Sequence, residues 1–312
     1  MNKYNLIDFR KNHFSQFGED GIVEKILSEC RIDGGWFVEF GAWDGQHLSN
    51  TRWLADNGWS GIFIEGDPGR YSVLEDTYRK SDRVHTCEAM VTASGPSSLD
   101  SILASTPIPK DFDVLSVDID GNDYHVWEGL VEYSPKVVII ESNATFPFNV
   151  EFIQRENDCL GSSALSLYQL GCKKGYSLAC YNDINCIFVR EDLFSYLSLI
   201  ESSYAFLFHL GRHGGSGGFF VSDYKGVWDW LLPQEIGWGY NDIRIPAEYI
   251  EPHQLGLTKA ARILYRLIRR GRASFPFTKS PHQILLDRSH HYRIVQESDE
   301  LLPLFQAHKK RG

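Results

Sequence analysis

The sequence predicts an α/β fold: a mostly parallel sheet whose last strand runs antiparallel, followed by a helical and irregular C-terminal appendage. Three observations predict it. First, five apolar runs alternate with amphipathic runs through Ser142, which implies a parallel sheet covered by helices on both faces. Second, "YSLACY" and "CIFVRE" are separated only by "NDIN". That connection is too short for a parallel crossover, so these two strands must be antiparallel. Third, the alternation stops near residue 200, where "HLGRHGGSGGFF" is glycine-rich and "WDWLLPQEIGWGY" is aromatic-rich. The expected division is residues 1–200 for the sheet domain and 201–312 for the appendage.

The elements follow in order. "GEDGIVEKILSECR" places Ile22, Ile26 and Leu27 at helical spacing, and "WFVEFGA" is the first strand. "SNTRWLADNG" is a helix that stops at Gly58. "GIFIEGD" is the second strand and "YSVLEDTYRK" its helix. "VHTCEAMVT" is the third strand, and "SSLDSILAS" a helix entered by Ser97 or Ser98. "FDVLSVDI", "YHVWEGLVEY" and "KVVIIES" read as strand, helix and strand, and "SALSLYQLGCKKG" as a helix before the final pair.

At 312 residues, 43% hydrophobic and 23% charged, the chain suits one large or two smaller globular domains. A net charge of -10 argues against nucleic-acid partners. The N-terminus lacks the apolar region of a signal peptide, and no run approaches ~18 apolar residues, so a cytoplasmic protein is expected. Six cysteines with no CxxC pair are expected to be free thiols. No acid lies between Glu251 and Asp287, while Lys259, Arg262, Arg266, Arg269, Arg270 and Arg272 accompany Leu257, Leu264 and Leu267 at helical spacing. Residues 257–272 therefore read as a basic amphipathic helix. It is either docked with a solvated basic face, or it meets an anionic membrane at its inner face, a phosphorylated sugar or a partner. His209 and His213 lie among glycines that argue for a loop or lid rather than a metal site.

"FVEFGAWDGQHLSNT" runs from a strand through a glycine turn flanked by Glu39 and Asp44. A dinucleotide turn needs G-x-G-x-x-G, but Trp43 stands where the second glycine should be, and no GK[ST] follows. Pyrophosphate is therefore a poor fit. S-adenosylmethionine carries a sulfonium and an ammonium instead of phosphate; carboxylates attract both, and backbone N–H groups can still take its carboxylate. Glu65 ends the second strand, where an acid can accept from both ribose hydroxyls, and Asp67 beside it is an adenosine contact. A parallel sheet finished by one reversed strand is the layout of class I methyltransferases, a Rossmann-like fold.

"SQFGEDGIV", "FVEFGAWDGQHLSNT", "GWSGIFIEGDP" and "DVLSVDIDGNDYHVWEGL" occur in the order of the motifs of the FkbM-type methyltransferase family, which the chain resembles over residues 13 to 190. The resemblance implies a class I fold, S-adenosylmethionine as cofactor, and O-methylation of a sugar in a natural product or surface polysaccharide. It implies that Glu39, Gly41, Ala42 and Asp44 line the methionine end, that Glu65 holds the ribose, and that Glu88 and Ala89 lie near adenine. One departure is Asp118-Ile119-Asp120-Gly121, where the family has an Asp-Val-Glu-Gly type segment.

"SVDIDGNDYH" gathers Asp118, Asp120, Asn122, Asp123 and His125 after the fourth strand. A sugar hydroxyl needs a base or a metal to remove its proton. Asp118, Asp120 and His125 are the candidate catalytic residues. Asp118 and Asp120, with Glu141 at the end of the fifth strand, suit magnesium or manganese; Asn143 is a further candidate. The other reading is that Asp120 or Asn122 caps the next helix and His125 simply lies on it. The function expected is carbohydrate O-methylation. Its rivals are methylation of a nitrogen or a non-sugar small molecule, and a non-catalytic nucleoside-binding module, which would have no need of Asp118 and Asp120.

Overall fold

A computed structural model of the chain describes residues 3–144, 146, 150–156 and 161–211, with the backbone of three short strands at 219–222, 228–231 and 292–294. The glycine-rich stretch 212–218, Cys159, and the expected basic helix at 257–272 lie outside the described residues.

After a 3-10 turn at Leu6–Phe9, the chain forms α1 (Glu19–Glu29), β1 (Trp36–Phe40), α2 (Arg52–Asp56), β2 (Ser60–Glu65), α3 (Pro68–Tyr78), β3 (Val84–Glu88), α4 (Leu99–Leu103), β4 (Val114–Val117), α5 (Asp123–Gly129) and β5 (Val137–Glu141). There follow β6 (Val150–Phe152), α6 (Ala164–Lys173), β7 (Tyr176–Tyr181), β8 (Asn185–Arg190), α7 (Glu191–Phe194) and α8 (Tyr204–Gly211). Seven strands form one sheet in the order β3-β2-β1-β4-β5-β8-β7. The first five pair in parallel, and β8 runs antiparallel to both β5 and β7. The short "NDIN" connection has the geometric consequence expected of it. In a separate compact unit, β9 (Phe219–Ser222) and β10 (Trp228–Leu231) form an antiparallel ribbon.

The two faces bury different helices. Phe37, Phe63, Val114, Ile139 and Ile187 pack with Ile22 and Ile26 of α1, Leu54 of α2 and Leu74 of α3. Val38, Ile64, Leu115, Ile140 and Phe188 pack with Leu103 of α4, Trp127 of α5 and Leu167 of α6. Both faces being apolar explains the continuous hydrophobic runs of the strands. The chain moves outward from β1 to β3, then returns to β4 on the other side of β1. The strand order thus reverses between β1 and β4, and in open α/β sheets ligands bind beyond the carboxyl ends at that point.

Several elements are shorter than their patterns suggest, α2 and β4 among them. The third strand ends at Glu88, and α5 ends at Gly129. Beyond Gly129 the backbone turns extended at Leu130, and the Asp100 carboxylate takes the N–H groups of Val131 and Glu132 at 2.9 and 3.1 Å. Those donors are satisfied without another helical turn. Ser98 is the residue that caps α4, accepting from the Ser101 N–H. Among the described residues no helix is long and apolar enough to cross a membrane, and Cys30, Cys87, Cys172, Cys180 and Cys186 are free thiols.

Candidate active site at the carboxyl edge

Side chains two apart on a strand share a face. Glu39 therefore shares the face of Phe37, Glu65 that of Phe63, and Glu141 that of Ile139. Glu88 is paired with Glu65 in register. Asp118, just past β4, hydrogen-bonds Glu141. The acids at the carboxyl ends of five strands thus form one row on the α1–α3 side.

In the glycine turn, Gly41 has φ +73, and a Cβ there would overlap the Asp118 carbonyl oxygen. Glycine lets the loop after β1 lie against the loop after β4. Trp43 has φ +50. Trp43, which stands where a dinucleotide turn has its second glycine, thus holds a left-handed conformation that is uncommon for a bulky residue. Ala42 is buried and donates its N–H to Ile64. Asp44 accepts from the N–H groups of Gln46 and His47 at 2.8 and 2.7 Å, closing the turn locally. Glu39 is buried, and its carboxylate takes the Ser49 hydroxyl (2.7 Å), the Thr51 hydroxyl (2.5 Å), and the N–H groups of Asn50 and Thr51 (3.2 and 3.0 Å). Burial pushes its pKa up, and these hydrogen bonds oppose the shift. Glu39 thus anchors the loop that opens α2.

Glu65 is held from both sides. One oxygen accepts the Trp43 N–H at 2.7 Å, the other the Asp67 N–H at 2.8 Å. A carboxylate offers about four lone-pair sites, so each oxygen can accept once more. Asp67 caps α3 through the Arg70 N–H at 2.9 Å and is exposed. Glu88 is exposed at the end of β3, and Ala89 donates its N–H to the Glu65 carbonyl at 3.0 Å.

The loop after β4 is shaped by Asp123, to which its place in the acidic run assigns no role. It is buried and takes the N–H groups of Ile119 and Gly121 at 3.0 and 2.9 Å. Asp120 is exposed with φ +54. Asp118, Asp120 and Glu141 each bring a carboxylate oxygen within 4.8 Å of the others. Among the described residues no lysine or arginine forms an ion pair with any of the three. Desolvation first, then the charges of Asp123 and Asp120, push Asp118 up to about 7. Desolvation and the neighbouring aspartates raise Glu141 well above the carboxylate range. Both keep some accessible surface, so the like charges contribute to the shifts beside the burial. Three carboxyls this close need a shared proton or a cation. His125 Nε2 lies 2.7 Å from the Gln154 carbonyl. A carbonyl only accepts, so Nε2 carries the proton and Nδ1 is left as the basic nitrogen.

Three residues at this edge escaped the sequence reading. Glu19 is buried at the start of α1, and one of its oxygens accepts the side-chain amides of Asn182 and Asn185 at 2.6 and 2.7 Å. Glu19 and the "NDIN" connection were both visible, one inside a motif and one as a turn. Nothing local in the sequence joins positions 163 and 166 residues apart.

No protein-family model matches the chain, and no curated protein matches it. Among solved structures, the N-terminal domain of EvdMO1 with S-adenosylhomocysteine bound is similar over 56% of this chain and 80% of its own, with 11% identity and a TM-score of 0.37. An S-adenosylmethionine-dependent methyltransferase from Clostridium acetobutylicum is similar over 55% of this chain and 90% of its own, with 10% identity and a TM-score of 0.36. M. capricolum TrmK in complex with S-adenosylhomocysteine covers 53% of this chain and 66% of its own, with 10% identity and a TM-score of 0.32. The fold assignment rests on the sheet itself: its strand order and single reversed strand are the class I methyltransferase layout.

Proposed function

We propose that this chain is an S-adenosylmethionine-dependent O-methyltransferase acting on a carbohydrate hydroxyl. The observation that carries it is the split acid row at the point where the strand order reverses. Glu65 keeps acceptor capacity beside the glycine turn, and across the Gly41–Asp118 contact stands the carboxyl group of three. The carbohydrate as acceptor comes from the FkbM-type resemblance, and the oxygen as target from the need of a hydroxyl for a base or cation.

The residues fit the cofactor. Glu65 would accept from the ribose hydroxyls. Gly41, Ala42 and Asp44 would border the methionine end, Asp67, Glu88 and Ala89 the adenosine, and Glu39 would act through the loop it anchors. When bound, S-adenosylmethionine supplies an electrophilic methyl group. The acids also fit a divalent cation, because three oxygen donors with no basic partner among the described residues suit magnesium or manganese. Asp118, Asp120 and Glu141 would hold it, and its chemistry there would be to lower the pKa of the acceptor hydroxyl. Without it, Asp118 or the Nδ1 of His125 would take the proton. Of the expected appendage 201–312, α8 packs in the sheet core through Tyr204, Leu207 and Phe208; on this reading the residues beyond it serve the acceptor or a partner, and 257–272 meet an anionic membrane surface or phosphorylated sugar. Flotation with anionic liposomes, reversed by salt, tests the membrane arm.

Calorimetry with S-adenosylhomocysteine tests the cofactor; no binding, or binding of NAD instead, overturns the reading. For the chemistry, Asp120→Asn should lose most of the turnover on a glycan acceptor and keep its S-adenosylhomocysteine affinity. EDTA should abolish activity, and magnesium or manganese restore it, if a cation serves. Full activity in Asp118→Ala, Asp120→Ala and His125→Ala alike would remove the chemistry from this edge.

A further inference from the structure

Beyond the three acids, one buried oxygen beside them has no hydrogen-bond partner among the described residues. Asn185 is the first residue of β8 and only 4% exposed, and its Oδ1 is buried without a hydrogen bond. A buried amide oxygen left unpaired costs about 1–3 kcal/mol, so it calls for an explanation. Its orientation is set by its neighbours. The amide nitrogen donates to Glu19 at 2.7 Å. Turning the amide over would set its oxygen against a carboxylate that offers no proton, so Oδ1 must point away from Glu19. Its place is set by the sheet. Asn185 is the register partner of Glu141 across the antiparallel β5–β8 pair. Directly opposed residues put their side chains on the same face, with Cβ atoms about 4.5–5.5 Å apart. The unpaired oxygen therefore belongs beside Glu141, one of the three acids.

We propose that Asn185 is a fourth protein ligand of the cation held by Asp118, Asp120 and Glu141, with its Oδ1 in the coordination shell and Glu19 holding the amide in that orientation. The proposal rests on the cation reading of the three acids. An amide oxygen is an ordinary donor to a hard divalent ion, and it adds no fourth negative charge to a site already crowded with three. Glu19 acts on the ion only through Asn185; it is a positioning residue in the outer shell. The role also accounts for a buried glutamate at the start of α1 that spends one oxygen on two asparagines of a distant hairpin.

Binding of manganese to the full chain, followed by the electron paramagnetic resonance of free Mn2+ without cofactor or acceptor, tests this apart from activity. Asn185→Ala should weaken binding by about tenfold or more. Asn182→Ala is the control: Asn182 makes the same bond to Glu19 and also accepts the Asn185 N–H at 2.8 Å, but it is not the register partner of Glu141. It should stay within about twofold of the parent, well under the roughly 10–100-fold that losing an outer-shell partner costs. If Asn185→Ala binds like the parent, or if both variants weaken equally, Asn185 is scaffold and the proposal is overturned. If the parent binds no manganese, the cation reading of the three acids falls first and the proposal with it. Should Asn185→Ala fail to fold, Asn185→Ser decides, because its hydroxyl can still donate to Glu19 but offers no second oxygen to the ion. Mn2+ binding weakened by about tenfold or more supports the ligand role, and binding like the parent's overturns it.

Discussion

Glu39 and Asp118 stand at the ends of neighbouring strands and face the same side of the sheet, yet their carboxyls are satisfied in opposite ways. Glu39 is surrounded by donors from its own following loop, two hydroxyls and two backbone N–H groups. Asp118 is surrounded by other acids. The same residue type at the same sheet edge serves as scaffold on one strand and accumulates charge on the next. Such crowding of like charges is unfavourable in the empty fold, and strongly perturbed groups of this kind gather at functional sites. The β1 side therefore reads as architecture and the β4–β5 side as chemistry, while Glu65, on β2 beyond β1, shares in both.

The largest effect should come from the scaffold side. Glu39→Ala removes four hydrogen bonds to one buried carboxylate and leaves their donors facing an apolar gap. A stability loss of about 3–4 kcal/mol is expected in urea unfolding. A loss under about 1 kcal/mol would mean that water replaces the carboxylate easily and that the two sides are not distinct.

The chemical side should show itself through pH. In EDTA, native Asp118 keeps its proton up to about 7, against an ordinary value of 3.8. Between those values the folded chain holds a proton that the unfolded chain has released, so stability falls as pH rises through that window. Glu141 is shifted in the same direction and adds to the slope. Asp118→Asn should flatten its part of the slope and be the more stable protein above neutrality, by roughly 2–3 kcal/mol once solvent access is allowed for. Unfolding free energies from pH 4 to 8 in EDTA measure this. Equal slopes in parent and variant would mean that the crowding is relieved in solution.

Much of this division could be read along the chain, for identifiable reasons. The strand order follows from apolar runs and one short connection, both local signals. The positions of Glu39, Glu65 and Asp118 follow from strand ends. What could not be read is which partner each acid meets. Glu39 is filled by Ser49, Asn50 and Thr51, ten to twelve residues on, and no pattern distinguishes that use from ligand binding. The pairing of Asn185 with Glu141 needs the register of β8 on β5, and register is a property of the assembled sheet. The positive φ of Trp43 could not be read either, because nothing in that residue type marks a left-handed position.

Glu65 is the residue on which the comparison can be made sharper, and its effect should be the smallest of the three. Its oxygens already hold the N–H groups of Trp43 and Asp67, which makes it scaffold like Glu39; its remaining lone pairs make it a ligand for ribose. Glu65→Ala should weaken S-adenosylhomocysteine by about 1–3 kcal/mol in calorimetry. That number alone does not separate the two roles, because a loosened turn would also lose affinity. The 2′,3′-dideoxy analogue does separate them, since it lacks the hydroxyls but needs the same turn. If Glu65 bonds the ribose, parent and variant bind the analogue nearly alike, and the coupling between side chain and hydroxyls accounts for most of the loss. If the variant loses as much with the analogue as with the full ligand, Glu65 belongs wholly to the architecture with Glu39, and the chemistry of this edge is confined to the β4–β5 side.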